Sequence, residues 1–205
     1  MVSILALAGA GCAGGGNGGT RRSSGAGRDK PAGESTAPQL TEDGRVIVRG
    51  QGIAYAIRPP TGWVARSVLG ADRSTKSTVT VADLAPPDGS PVSISGQLRS
   101  KNRDIDSIED WVNRVSLTRR AGDEEFALRR AGPVVIDGRR TGEMIVLDAG
   151  PPHEDNKSSV DHEAVVLIDE PDVIIEIFLT TKTRELRDLH LSTLRAVAAT
   201  YGPAG

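Results

Sequence analysis

The sequence is poor in the residues that build many kinds of functional site. Its 205 residues include one cysteine, so no disulfide can form within the chain. Phe, Trp and Tyr make up 3% of the residues, which argues against a base-stacking platform or a sugar-binding aromatic groove. The formal net charge of −2 provides no long-range attraction to nucleic acid, so we expect no nucleic-acid partner.

Recognisable catalytic motifs are also missing. The sequence has no Gly-x-Ser-x-Gly elbow, and its glycine-rich run at 14–19 does not end in the Lys-Ser/Thr of a phosphate-binding loop. His153, Asp155, Asp161 and His162 cluster in one segment, but their spacing fits no rigid metal frame. His190 falls among leucines, where a core or edge histidine is expected. We therefore predict no catalytic residue, no metal, no cofactor and no enzyme activity.

The chain starts with eleven uncharged, mostly small and apolar residues, followed directly by Cys12. This run is too short to span a membrane. Ala10-Gly11-Cys12 resembles the end of a bacterial lipobox, where the cysteine is acylated and becomes the mature N-terminus. The resemblance implies a leader at 1–12, lipidation of Cys12 and an extracytoplasmic protein anchored to the cell membrane. No Lys or Arg precedes the apolar run, as expected if translation starts upstream of Met1. The alternative is an Ala/Gly leader with an incidental cysteine.

Residues 13–44 have the composition of a tether. They are rich in Gly, Ser, Ala, Pro and Thr, and their few charges cancel in sign. Such a segment cannot bury enough apolar surface to offset the entropy lost on ordering. We predict a flexible linker at 13–44 and a globular domain at 45–205.

Alternating polarity predicts several strands in this domain. In residues 52–63, Ile53, Tyr55 and Ile57 alternate with smaller or charged residues. Prolines then end the strand, and Gly62 allows the chain to turn Trp63 into the core. Two nearly continuous apolar runs at 164–168 and 173–179 are expected at the sheet centre, covered on both faces. Further strands are predicted at 46–48, 77–82, 92–98, 126–128, 134–136 and 141–147, with an Asp-Gly hairpin at 137–138.

Two segments have helical spacing. Ile108, Trp111, Val112 and Val115 follow the i, i+3, i+4, i+7 pattern, with Asp106 and Glu109 as a capping box. The second helix spans 184–201 and ends before Gly202-Pro203. Its predicted apolar face consists of Leu186, Leu189, Leu194, Val197 and Tyr201.

Two pairs of arginines lie near one end of the predicted hairpin, namely Arg129, Arg130, Arg139 and Arg140. They are the candidate partner-binding residues, as a basic patch for an acidic partner. The alternative is a solvated strand edge whose charges discourage aggregation.

The sequence Pro60-Thr61-Gly62-Trp63 after an apolar strand resembles the PsbP/Mog-like superfamily. The later order resembles it too, with a helix containing Ser107 and Trp111, an Asp-Gly hairpin, paired strands and a terminal helix. Many bacterial members are tethered lipoproteins, including actinobacterial cell-envelope forms. The resemblance covers about 46–201 and implies an α+β fold with a single antiparallel sheet flanked by helices, an α/β/α sandwich.

The resemblance implies a binding or scaffolding module for a protein or envelope partner. One alternative is a carrier that holds a lipid or small apolar molecule between sheet and helices. Another is a metal-dependent hydrolase that uses the 153–162 segment. Because function does not transfer with this fold, the partner cannot be named from the sequence.

Overall fold

A computed structural model of the chain describes residues 35–50, 52–71, 78–121, 125–138, 140–148 and 161–204. Within these ranges the chain forms two helices and eleven strands. The helices are α1 (Ile108–Arg120) and α2 (Arg184–Ala199). The strands are β1 (Ser35–Thr36), β2 (Val46–Gly50), β3 (Ile53–Ile57), β4 (Val64–Ala71), β5 (Thr78–Ala85), β6 (Val92–Ser100), β7 (Ala127–Ile136), β8 (Arg140–Asp148), β9 (His162–Asp169), β10 (Val173–Thr181) and β11 (Gly202–Pro203).

The fold is α+β, as predicted, but its strands form two sheets. The larger has eight antiparallel strands in the order β1-β4-β5-β6-β10-β9-β8-β7, and the smaller has the order β11-β3-β2. The prediction of a single sheet is therefore wrong. Pro59 and Pro60 follow β3 and end its pairing before β4 begins, because proline cannot donate to a ladder. Gly202-Pro203 also does more than end α2, because it adds a strand to β3.

The two helices lie on opposite faces of the large sheet, because adjacent strand residues contact different helices. On β9, Val165 and Leu167 belong to a core cluster with Trp111 of α1. Ala164 and Val166 belong to the other core cluster, with Leu194 of α2. We call these faces the α1 side and the α2 side. Strands β9 and β10 are buried on both, which confirms their predicted central position.

The small sheet packs on the α2 side, over β5 and β6. Tyr55 of β3 approaches so closely that a Cβ at Gly96 of β6 would meet its hydroxyl oxygen at 2.8 Å. A side chain at Gly96 would therefore push the two sheets apart. Together, α2 and the small sheet cover the α2 side with apolar contacts.

The predicted strand at residues 53–57 is confirmed, and so is the turn after it. Gly62 has a φ of +82°, and the Trp63 amide donates to the Pro60 carbonyl at 3.0 Å. Trp63 is only partly buried, however, and packs against the margin of the α2-side core. Its ring meets the His190 ring nearly edge-on, with centroids 6.0 Å apart.

Both helices form where they were predicted, but the predicted cap of α1 and the predicted apolar face of α2 each need one correction. The cap of α1 is Ser107 rather than Asp106, because the Ser107 Oγ accepts from the Asp110 amide at 3.1 Å. On α2, Leu189 is 70% exposed and does not belong to the apolar face. It lies five residues before Leu194, about 140° around the helix. Among the described residues, neither helix is long and apolar enough to cross a membrane.

Candidate functional site

Half of the α1 side of the large sheet carries no covering element among the described residues. Helix α1 packs against β8, β9 and β10, whereas the elements packed over β5 and β6 lie on the α2 side. Phe178 of β10 contacts Trp111 of α1 and lies directly opposite Ser95 of β6. Ser95 in turn lies opposite Asp83 of β5, and Asp83 lies opposite Arg66 of β4. Directly opposite residues share a face. The uncovered side chains, here named the open face, are Val64, Arg66, Val81, Asp83, Ala85, Ser93, Ser95, Gln97 and Arg99.

A buried carboxylate marks the boundary between the open face and α1. Glu176 on β10 is 1% exposed, although it lies within an otherwise apolar strand. The indole N–H of Trp111 donates to it at 2.5 Å, as does the Gln97 amide nitrogen. The guanidinium of Arg99 also bonds to it and forms an ion pair. A buried charge is tolerated only when it is paired and hydrogen-bonded, and these contacts meet that requirement.

The Glu176 network holds two side chains of the open face in place. Gln97 and Arg99 reach from β6 to the same carboxylate, yet the Arg99 side chain remains 36% exposed. Arg99 is therefore partly exposed and held in a fixed position, and the amide of Gln97 is fixed by the same carboxylate. Polar groups held in this way lose little entropy when they bind a partner.

Asp83 differs, because no described residue forms a hydrogen bond or ion pair with its carboxylate. It lies half-buried on β5, directly opposite the exposed Arg66 of β4. Burial raises the pKa of Asp83, and the nearby charge of Arg66 offsets this only in part. The open face thus contains a carboxylate whose hydrogen-bonding capacity is not used within the described chain.

A second charged cluster joins α2 to the opposite side of the sheet. The Arg187 guanidinium is buried, pairs with Asp148 at the end of β8 and donates to the Leu147 carbonyl at 3.2 Å. Burial alone would raise the pKa of Asp148, but the hydrogen bond and charge of Arg187, with Arg184 and Arg129, lower it overall. This cluster holds the N-terminal part of α2 to the sheet.

His162 borders the Arg187 cluster at the start of β9. Its Nδ1 is buried without a hydrogen-bond partner among the described residues. Burial and the charges of Arg187 and Arg184 lower the pKa of His162, which favours its neutral form. Asp161 beside it pairs with Lys182 at 2.5 Å. Within the described residues, no three His, Cys, Asp or Glu side chains are grouped as metal ligands would be.

The predicted basic patch is divided between the two sides of the sheet. Arg129 lies opposite Val146 on the α2 side, and its Nε is 3.8 Å from Asp148. Arg130 lies opposite Ile145 on the α1 side and pairs with Glu143, at 2.6 Å, and with Glu109. Adjacent strand residues point to opposite faces, so these two arginines do not form one patch.

The other predicted site residues lie partly outside the described chain. Cys12, Arg139, His153 and Asp155 fall outside the described residues, as does the side chain of Arg140. Lipidation of Cys12 therefore stays a prediction. His190 lies at the margin of the core beside Trp63, which agrees with the interpretation of it as a core or edge histidine.

Comparison with known proteins does not add a relative. No protein-family model matches this sequence, and no curated protein matches it.

Sequence reasoning missed the residues that define these sites. The alternation of Ser93, Ser95 and Gln97 did predict a face near solvent. The signal for Glu176 was also present, because a single acid interrupts the apolar run of β10. Arg66 and Asp83 carry no such signal, since only the strand register shows that they are opposite each other.

Proposed function

We propose that this protein is a membrane-anchored, extracytoplasmic binding or scaffolding module of the PsbP/Mog-like kind, whose partner docks on the open face. The single observation behind this proposal is the uncovered half of the α1 side. That surface carries a half-buried carboxylate without a described partner, and other polar groups that the Glu176 network fixes in place.

A binding role suits the way in which the open face is built. Its side chains project from three adjacent strands, and β5 and β6 carry buried residues of the core on their other side, so the spacing of these side chains is set by a rigid frame. Its residues mix hydroxyl, amide, acidic and basic groups with exposed aliphatic carbon, notably Val64. This mixture is typical of protein–protein interfaces with a modest apolar centre.

The N-terminal part of the chain supplies the anchor in this proposal. An acylated Cys12 would hold the protein at the membrane, and the part of the predicted tether that precedes β1 would let the domain move around that point. The predicted boundary at residue 44 is too late, because β1 pairs with β4 and Asp43 pairs with Arg58 of the domain. Confinement to a surface raises the effective concentration of the domain relative to partners in the same layer. Weak binding by the open face would then be sufficient for assembly.

The anchor is tested by Cys12→Ala in the full chain expressed in a bacterial host, followed by detergent phase partition. We expect the parent chain in the detergent phase and Cys12→Ala in the aqueous phase. Ser24→Ala in the predicted tether is the matched control and should remain with detergent. Retention of Cys12→Ala in the detergent phase would contradict lipid anchoring.

A further inference from the structure

We propose that the partner of the open face is a second copy of this chain, with Arg66 of each copy against Asp83 of the other. This inference rests on the proposed function, because it names the partner of the same surface. It follows from the arrangement of residues on β4 and β5.

The two strands carry complementary residues in matching rows. Cα partners across the pair are Arg66 with Asp83 and Val64 with Ala85. Consider two copies that meet face to face, with a two-fold axis that lies in the plane of contact, parallel to β4 and β5 and midway between them. This axis would place β4 of one copy over β5 of the other. Each charge would then face its opposite, and each aliphatic side chain would face another. Such self-complementarity is what a two-fold interface between identical chains requires.

Both charges of this row can reach a second copy, although the charge of Arg66 already acts on Asp83 within one chain. Arg66 is exposed, and Asp83 has no hydrogen bond or ion pair with a described residue. Burial already disfavours the ionised form of Asp83, so its pKa is raised in the single chain. A guanidinium from a second copy would supply two N–H donors to that carboxylate and remove this penalty.

Aliphatic side chains flank the charged row. Val64 is 44% exposed, and Val81 and Ala85 on the neighbouring strand are half-buried. Contact with a second copy would remove this apolar surface from water. The charged row would fix the register, while the aliphatic rows would supply attraction.

The far edge of the same sheet is protected against association, which favours the open face over edge-to-edge pairing. Strand β7 is interrupted by an irregularity between Arg130 and Pro133. Arg195 of α2 donates to the carbonyls of Ala131 at 2.6 Å and of Pro133 at 2.8 Å. A bulge, a proline and blocked carbonyls are devices that prevent the addition of another strand.

The open face is small, so the proposed dimer is weak in solution. Three strands about 4.8 Å apart, each contributing about six residues at about 3.3 Å, give a patch of roughly 300 Å². This area is well below the roughly 800 Å² per partner of a standard interface. We expect a dissociation constant in the micromolar range or weaker for the full chain in solution. Confinement by a membrane anchor would raise the dimer fraction.

Sedimentation velocity of the full chain, each variant carrying Cys12→Ala, tests the proposal. We expect the parent to dimerise with rising concentration, and Asp83→Arg and Arg66→Asp each to weaken dimerisation about 10-fold or more. An equimolar mixture of the two variants should restore it, because every Arg then faces an Asp. Asp172→Arg, an exposed acid in the β9–β10 turn, is the matched control and should dimerise like the parent. Circular dichroism of each variant checks folding.

Three results would overturn the proposal. The parent could stay monomeric up to about 1 mM, the single variants could dimerise like the parent, or the mixture could stay monomeric although both variants are folded. None of these would decide the lipid anchor, which phase partition of Cys12→Ala tests separately. If the open face crosslinks to a different protein in the envelope and the parent is monomeric, the proposed function stands. The proposal that the partner is a second copy of this chain is then wrong.

Discussion

The two faces of the eight-stranded sheet are covered to different extents, and their residues differ accordingly. On the α2 side, β5 and β6 place Leu84 and Ile94 under the small sheet, both fully buried. On the α1 side, the same two strands place Asp83 and Ser95 where no described element covers them. The alternating pattern of one strand pair therefore separates a packed face from the open face.

In the part of the chain that the structure describes, two charged side chains are buried, one on each side of the sheet. Glu176 lies in the sheet under the edge of α1, whereas Arg187 belongs to the first turn of α2 and points to the sheet. Each is 1% exposed, and each is paired with a charge that is itself partly exposed. Opposite signs thus hold the two helices to opposite sides of the sheet. The difference is that the Glu176 network continues into the open face through Gln97 and Arg99.

The largest expected effect is the loss of Glu176. Glu176→Ala leaves Arg99 and the Trp111 indole without their acceptor, so we expect a loss of about 3–5 kcal/mol in the free energy of unfolding. Urea denaturation followed by tryptophan fluorescence measures it. Glu42→Ala, at an exposed acid, is the control, with an expected change below about 0.5 kcal/mol. A loss below about 1 kcal/mol for Glu176→Ala would show that its network does not support the fold.

A slightly smaller loss in the free energy of unfolding is expected for a substitution on the packed face of β5, and a much smaller loss for one on its open face. Leu84→Ala removes a fully buried side chain from the α2 side, and we expect a loss of about 2–5 kcal/mol. Val81→Ala, three residues away on the open face, should cost less than about 1 kcal/mol, because that side chain is already partly in water. Both values come from denaturant titration of the full chain. Similar losses for the two variants would mean that the open face is covered.

The smallest expected effects come from replacing two aspartates, Asp83 in β5 and Asp88 just after it. The two replacements should change the stability of the protein in opposite directions. Because its pKa is raised, ionised Asp83 lowers stability as pH rises through its folded pKa, so Asp83→Asn should slightly stabilise the monomer at pH 7, by an amount that solvent screening keeps small. Hydrogen bonds from Ser90 lower the pKa of Asp88, so its contribution is present at neutral pH and is lost as pH falls through that folded pKa.

Asp88→Asn should therefore destabilise the protein at pH 7. Thermal unfolding at pH 7 and at pH 3 measures both variants, and each difference from the parent should shrink at the lower pH. The same sign for both variants at pH 7 would contradict the assignment of Asp83 as an uncompensated carboxylate.

Much of the fold followed from local patterns in the sequence. Alternation predicted β3, β5 and β6, and nearly continuous apolar runs predicted β9 and β10. The i, i+3, i+4 spacing predicted α1, and the glycine at 62 predicted the turn before Trp63. These features depend on neighbours in sequence, so local chemistry decides them. Helix capping was placed one residue early, because Asp106 and Ser107 both suit a cap and only the backbone distinguishes them.

Features that depend on distant residues were missed. The division into two sheets depends on Gly202 pairing with Ala56, more than 140 residues away in sequence. The prediction of a four-arginine patch did not allow for the alternation that sends Arg129 and Arg130 to opposite sides. The open face was missed for the same reason, since Arg66 and Asp83 become neighbours only through the β4–β5 register.

Site-specific photo-crosslinking in the native envelope tests most directly whether the open face is the docking surface. A photoreactive residue is placed at Ser95 of the open face in the full chain, and in a second variant at Leu189, which is 70% exposed on α2. We predict crosslinked adducts from Ser95 and none from Leu189, with the mass of each adduct identifying the partner. Adducts from Leu189 alone, or from neither position, would contradict the open face as the docking surface.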